Sequence, residues 1–243
     1  MSDPLRIAFV VEGPTDYAIL KELVRRFLGN RDFVPQILQP EMSEAFKATP
    51  GTEGGWPGVC RWCVQTREQS GGDLANNPLF AFHDILIIQL DADVAGFRYS
   101  DGRVPVPCPG RETIPFQQPC PPASATTDRL REVILLWLGE STAPPGALFC
   151  TPSKALEAWV AAGLFPDDAT VRANHLECRS GPESILRRKP KMQRLVSGSK
   201  KKVPKYREFA PAFAENWDFV KTRCAEAGRF EADFLAEVEA SEQ

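Results

Sequence analysis

The chain has 243 residues, 43% of them hydrophobic and 25% charged, with a formal net charge of −3. That composition belongs to a soluble globular protein long enough to bury a sizeable core, and its acidic balance excludes attraction to nucleic acid by global charge, leaving only local basic patches. With only two histidines, His83 and His175, a histidine-rich metal site is also excluded.

The N-terminal MSDPLR runs directly into an apolar stretch with no long leader segment before it. No run approaches ~18 apolar residues, so no membrane helix is expected and the cytoplasm is the expected compartment. Residues 5–11 (LRIAFVV) predict a short buried strand. Residues 14–28 predict a helix: Pro14 suits a first turn, and Ala18, Ile19, Leu23 and Phe27 recur at helical spacing. Residues 33–38 predict a weaker strand, which Pro35 confines to an edge or an irregular position. A glycine-rich loop over 48–57 leads to a helix over 58–70. The next strand, 83–90 (HDILIIQL), carries four consecutive apolar residues, as expected of a parallel strand covered on both faces.

Residues 94–125 are proline-rich and too long for a simple connector, which makes them an insertion suited to a flap or a partner surface. A helix follows over 127–138, capped by Thr126 or Thr127, then a short strand over 147–150 and a helix opened by TPSK with Glu157 inside it. Beyond a dense basic stretch come helices over 205–226 and 229–240. The alternation of strands and helices predicts an α/β domain with a mainly parallel sheet flanked by helices, over residues 1–165. Residues 166–243 form a helical C-terminal extension, packed on the sheet or standing as a small lobe. The seven cysteines are an odd number, so free thiols are expected rather than a disulfide framework. Cys60 and Cys63 form a CxxC, but Cys108 and Cys120 are too far apart to complete a good zinc site.

Two strands end on carboxylates. VVEGPTD places Glu12 where the first strand turns into its helix, and IIQLDAD places Asp91 and Asp93 after the third. In a parallel sheet, sites form at the carboxyl ends of strands. If these two strands are neighbours, the three acids converge, and their repulsion calls for a hard divalent cation with oxygen ligands, Mg²⁺ or Mn²⁺. The plain alternative is a pair of solvated strand ends.

The pair VVEGPTD and IIQLDAD resembles the motifs of the TOPRIM domain, a Rossmannoid fold of topoisomerases, primases and OLD-type nucleases. The likeness spans roughly residues 4–160 and is greatest to small bacterial TOPRIM-like proteins. It implies adjacent motif strands, with Glu12 in metal binding or acid/base catalysis and Asp91 and Asp93 holding Mg²⁺. Asp16 matches a further acidic position, although a carboxylate in a first helical turn also favours the helix dipole without any ligand role. Glu157 falls in the segment that completes a second metal site in OLD-type nucleases, or else pairs with Lys154 on a helix surface. Pro14 and the long insertion depart from the family pattern without removing a ligand.

The basic stretch supplies Arg187, Arg188, Lys189, Lys191, Arg194, Lys200, Lys201, Lys202, Lys205 and Arg207. It reads either as a solvated loop offsetting the acidic remainder or as a flexible nucleic-acid-binding segment. Lys205, followed by Lys202, is the first choice to stabilise charge on a reacting phosphate. The five tryptophans read first as core residues, and only Trp56, in the glycine-rich loop, offers base stacking as an alternative. The expected function is Mg²⁺- or Mn²⁺-dependent phosphodiester hydrolysis of DNA or RNA, in a setting of bacterial defence or a mobile element. The only tyrosines are Tyr17, Tyr99 and Tyr206, none placed like a topoisomerase nucleophile. The alternative is a non-catalytic subunit that holds a metal or a protein partner from the same operon.

Overall fold

The computed structural model describes residues 3–40, 54–108 and 110–241, so residues 48–53 of the glycine-rich loop lie outside the described part. Four strands form one sheet: β1 (Leu5–Val10), β2 (Phe33–Gln39), β3 (Ile85–Gln89) and β4 (Ala147–Cys150). Their order is β2-β1-β3-β4 and every pairing is parallel. Pro35 sits in edge strand β2, where a missing N–H is tolerated.

The period of two along each strand divides the core. Ile7, Phe9, Ile85, Ile87, Leu148 and Cys150 face one layer of helices. Ala8, Val10, Leu86, Ile88, Ala147 and Phe149 face the other. The first layer holds α1 (Pro14–Leu28), whose Ile19, Leu20, Leu23 and Val24 are fully buried. The second holds α2 (Trp56–Ser70) and, past the short α3 (Leu79–Phe82), α4 (Ser124–Leu138). Helix α4 starts three residues before the expected 127. Thr126 therefore does not cap it; the hydroxyl accepts from the Gln118 N–H at 2.9 Å.

Helix α5 (Glu157–Leu164) is buried on nearly every side. It begins later than TPSK suggested, leaving Thr151–Leu156 as a loop at the carboxyl edge of the sheet. After the short α6 (Ala169–Arg172) and α7 (Glu183–Arg187) comes a hairpin of β5 (Val196–Ser197) and β6 (Lys200–Lys201), where a flexible segment was expected. Three helices close the chain: α8 (Val203–Glu215), α9 (Trp217–Arg223) and α10 (Ala225–Ala240). The single helix expected over 205–226 is broken at Asn216, whose side-chain amide donates to the Gly163 carbonyl at 2.8 Å.

These last helices belong to the same hydrophobic core as β1 and α1. Phe27 and Trp159 meet Trp217 and Phe230 in one aromatic cluster. Gly163 is required for the fit, since a Cβ there would stand 2.5 Å from Cδ2 of Phe213. Of the two arrangements open from sequence, the C-terminal segment thus packs on the sheet layer.

The insertion is folded rather than loose. Tyr99 and Ile114 are buried, Tyr99 Oη accepts from Trp137 Nε1 at 3.0 Å, and the Tyr99 N–H donates to the Glu112 carbonyl at 3.0 Å. Cys120 is disulfide-bonded to Cys178, closing a sequence separation of 58. That corrects the expectation of free thiols for this pair; an odd total does not prevent one long-range bond. Cys60 and Cys63 are buried and free, and burial pushes the Cys60 thiol up to about 12 and Cys63 well above its ordinary value, which does not suit thiolate ligation. Among the described residues no helix is long and apolar enough to cross a membrane.

Closing so long a loop restricts the unfolded chain, so Cys120→Ser should lower unfolding free energy by about 2–4 kcal/mol. Urea unfolding of the oxidised protein against the variant measures this; identical midpoints would show that the bond adds nothing to stability.

Candidate metal centre

The parallel pairing of β1 with β3 settles where the acidic strand ends lie. Ile7 is opposite Ile85 and Val10 opposite Ile88, so both strands run out at the same edge. Pairing continues past β3: the Leu90 N–H donates to the Cys150 carbonyl, Ala92 to Pro152 and Asp93 to Lys154. This fixes the DAD segment against the Thr151–Leu156 loop. Glu12 and Asp91 then touch: Oε1 of Glu12 accepts the Asp91 N–H at 2.7 Å.

Gln89 locks the pair. It is fully buried, its Oε1 accepts the Glu12 N–H at 3.0 Å, and its Nε2 donates to Oδ1 of Asp91 at 2.8 Å. The same Asp91 oxygen accepts the Leu156 N–H at 3.1 Å. Sequence reading passed over Gln89; the signal was an amide interrupting the apolar run ILIIQL.

Asp16 and Glu157 join from the other side. Both are buried, on α1 and α5 respectively. Lys201 reaches them from β6, with Nζ 2.7 Å from Oε1 of Glu157 and 3.8 Å from Oδ1 of Asp16. The Tyr206 hydroxyl also donates to Oε1 of Glu157, at 2.8 Å. Glu157 is therefore a member of the cluster, not a surface partner of Lys154, and Asp16 serves more than a helix dipole. Glu12 is half-buried and Asp93 exposed, so these two form the mouth above the buried Asp16, Asp91 and Glu157.

The electrostatics follow from five carboxylates around the Lys201 ammonium, with Lys154 acting on Asp93 alone. Burial lifts Glu12 to about 8, with repulsion from Asp93 and Asp16 adding to it against the Asp91 N–H. Asp16 rises to about 6, first through burial and then through Glu157, while Lys201 opposes. Asp91 stands well above the usual carboxylate range through burial and its neighbours Glu12 and Asp16. Asp93 is lifted to about 6 by the protein atoms crowding its carboxyl, with Glu157 and Glu183 adding repulsion. Burial works against charge on Lys201, but Asp16, Glu157 and Asp91 outweigh it and hold the ammonium protonated.

The donor chemistry fits a hard divalent cation. Every candidate ligand is oxygen, negative charge exceeds positive, and Oδ1 of Asp16 is buried without a hydrogen-bond partner. Gly54 and Gly55 leave bare backbone beside Glu12, where a Cβ on Gly54 would come 2.7 Å from the Glu12 carbonyl oxygen. Among the described residues, however, no three His, Cys, Asp or Glu side chains form a ready-made ligand set. One oxygen each of Glu12 and Asp91 is held by backbone N–H groups, and Lys201 stands where a cation would bridge Asp16 and Glu157.

The remaining predicted residues lie elsewhere. Lys205 pairs with Glu208 at 2.8 Å and sits over the Phe209 ring, so Lys201 is the lysine that reaches the carboxylates. Arg187 pairs with Glu183, Lys189 with Asp168, and Arg188 donates to the Thr170 hydroxyl. Lys191, Lys200 and Lys202 have no ion pair among the described residues, and the first two are exposed. Trp56 is buried against Tyr99 and Phe97, which removes it as a stacking platform. No family model matches the chain, and no curated protein or solved structure is significantly similar to it.

Removing the Lys201 ammonium leaves Asp16 and Glu157 buried without the counter-charge that reaches them. Breaking a buried pair costs roughly 3–5 kcal/mol, discounted here because the Lys201 side chain is about a third exposed. Lys201→Met should therefore destabilise the metal-free protein by about 2 kcal/mol. Denaturant unfolding tests this, with Lys201→Met/Glu157→Gln recovering part of the loss; an unchanged midpoint in the single variant would refute the electrostatic account.

Proposed function

We propose that this protein is a TOPRIM-like, metal-dependent phosphoryl-transfer enzyme that hydrolyses phosphodiester bonds in nucleic acid. The observation that carries the reading is the Glu12–Asp91 contact at the shared end of two adjacent parallel strands. Acidic tips from two motifs 79 residues apart meet there, as the resemblance requires.

Glu12, Asp91 and Asp93 would hold Mg²⁺ or Mn²⁺, with Asp16 and Glu157 extending the site. Bound there, the ion would polarise a phosphoryl oxygen and lower the pKa of a water. The protein's own groups set the geometry. The free oxygens of Glu12 and Asp91 are fixed in direction because each carboxylate has its other oxygen tied to a backbone N–H, and Gln89 adds a bond to the tied Asp91 oxygen and holds the Glu12 backbone. Tyr206 and Lys201 orient Glu157. Lys201, on the partly exposed side of the cluster, is the donor best placed to meet negative charge gathering on a phosphate. It takes the role first assigned to Lys205.

One observation favours the second reading, a non-catalytic metal- or partner-binding subunit. Lys201 already neutralises part of the cluster, and the ligands are not preassembled. In that case the lysine substitutes permanently for the cation.

Mn²⁺-dependent cleavage of labelled DNA and RNA separates the two. The first reading expects activity that falls about 100-fold or more in Glu12→Gln and in Asp91→Asn, and about 10–100-fold in Lys201→Met assayed below its melting temperature. Calorimetry should register Mn²⁺ binding to the wild type and its loss in Asp91→Asn. Absence of cleavage by the wild type, with or without Mn²⁺ binding, would select the second.

A further inference from the structure

The insertion carries exposed groups that the carboxylate centre does not use. Phe97 and Phe116 are 45% and 69% exposed, an unfavourable display of two large rings on one short segment. Both lie at the rim of the centre. Phe97 follows Asp93 by four residues, and its N–H closes a turn onto the Val94 carbonyl at 3.0 Å. Its ring lies 6.5 Å from that of Trp56, which follows Gly55, and Gly55 donates its N–H to the Glu12 carbonyl at 2.6 Å. Phe116 covers the backbone of Gly96, where a Cβ would stand 3.1 Å from its ring.

Arg98, Arg103 and Arg111 share this segment and are exposed. Among the described residues none of their guanidinium groups has an ion pair or a side-chain hydrogen bond. The nearby Asp101 carboxylate is turned to the Arg98 backbone N–H, at 3.0 Å, and not to its side chain. In the C-terminal basic stretch Arg187, Lys189, Lys201 and Lys205 are matched to carboxylates, and the unpaired Lys191, Lys200 and Lys202 have no exposed aromatic ring on their segment among the described residues. Free positive charge therefore stands beside exposed rings on the insertion.

We infer that the insertion is a binding surface for single-stranded nucleic acid, with Phe97 and Phe116 as stacking platforms for unpaired bases and the arginines meeting the phosphates. This rests on the phosphodiesterase reading and names its substrate class. Rings and guanidiniums in alternation suit a strand whose bases are free to stack, whereas a duplex keeps its bases buried in its own stack. Acidic groups at the centre repel phosphate, and the three arginines, against Asp101 and Glu112, leave the insertion a positive excess with which to hold a strand beside it.

The test uses the full chain in EDTA, so that binding is read without cleavage. Fluorescence anisotropy follows a labelled thymidine oligonucleotide of about 12 nucleotides, the corresponding abasic strand and a duplex of equal length. Phe97→Ala/Phe116→Ala is expected to weaken the base-bearing strand at least about 10-fold and to leave the abasic strand unchanged. Phe97→Trp/Phe116→Trp should retain binding, and the duplex should bind more weakly than the single strand to wild type. Equal affinity of wild type and the alanine variant for the thymidine strand, with melting temperatures alike, would overturn the inference. So would tighter binding of the duplex. Mn²⁺-dependent hydrolysis of bis(4-nitrophenyl) phosphate, which needs no stacked strand, reads the carboxylate centre separately. Its persistence beside unchanged oligonucleotide affinity rejects the binding surface alone, and its absence beside the expected anisotropy pattern rejects the hydrolytic reading alone.

Discussion

Crowding like charges at the end of a sheet is the constraint around which the molecule is organised. Parallel pairing of β1 with β3 is favoured by the hydrophobic faces of both strands, and it forces Glu12 and Asp91 together whatever the electrostatic cost. Desolvation and mutual repulsion then raise every carboxyl whose shift is resolved in the group. Three compensations are built in. Backbone N–H groups bind one oxygen each of Glu12 and Asp91, Gln89 bridges the two strand ends, and Lys201 supplies an ammonium 2.7 Å from Glu157. They reduce the penalty without cancelling it, and the remaining negative charge is what makes the cluster receptive to a cation or a cationic group.

The C-terminal third completes the site as well as the core. Lys201 and Tyr206 come from the hairpin and from α8, and both meet Glu157 on α5. Helix α5 is in turn buried between the sheet and the last helices, with Gly163 allowing Phe213 to approach its backbone. Packing and site electrostatics are thus coupled: a shift of α8 relative to α5 would move Tyr206 and alter the position of the ammonium together.

Much of this was legible in the sequence. Short apolar runs marked all four strands, three of them with β-branched residues, and Pro35 marked the edge. The acidic strand ends were recognisable because two strong strands, in order, both ran out onto carboxylates, where either alone is common. Other features were hidden for physical reasons. A run of three lysines has no internal phase, so sequence could not say which one turns inward. The hairpin decides it: Lys201 lies opposite the buried Val196, while Lys200 lies opposite the exposed Ser197, and cross-strand partners share a face. Cys120 and Cys178 are joined only through the fold, since spacing says nothing about a contact made across 58 residues. Trp56 looked exposed because glycines precede it, yet its burial depends on Tyr99 and Phe97, supplied some forty residues later by the insertion.

The location of Lys201 has a consequence for biosynthesis. Asp91 and Asp93 are translated 110 and 108 residues before Lys201, and Glu12 and Asp16 earlier still. On a ribosome adding about 5–20 residues per second, the half-made sheet spends about 5–20 s with acidic tips and no internal counter-charge. During that interval the acidic tips depend on protons or cations from the surroundings for neutralisation, because Lys201 has yet to be added.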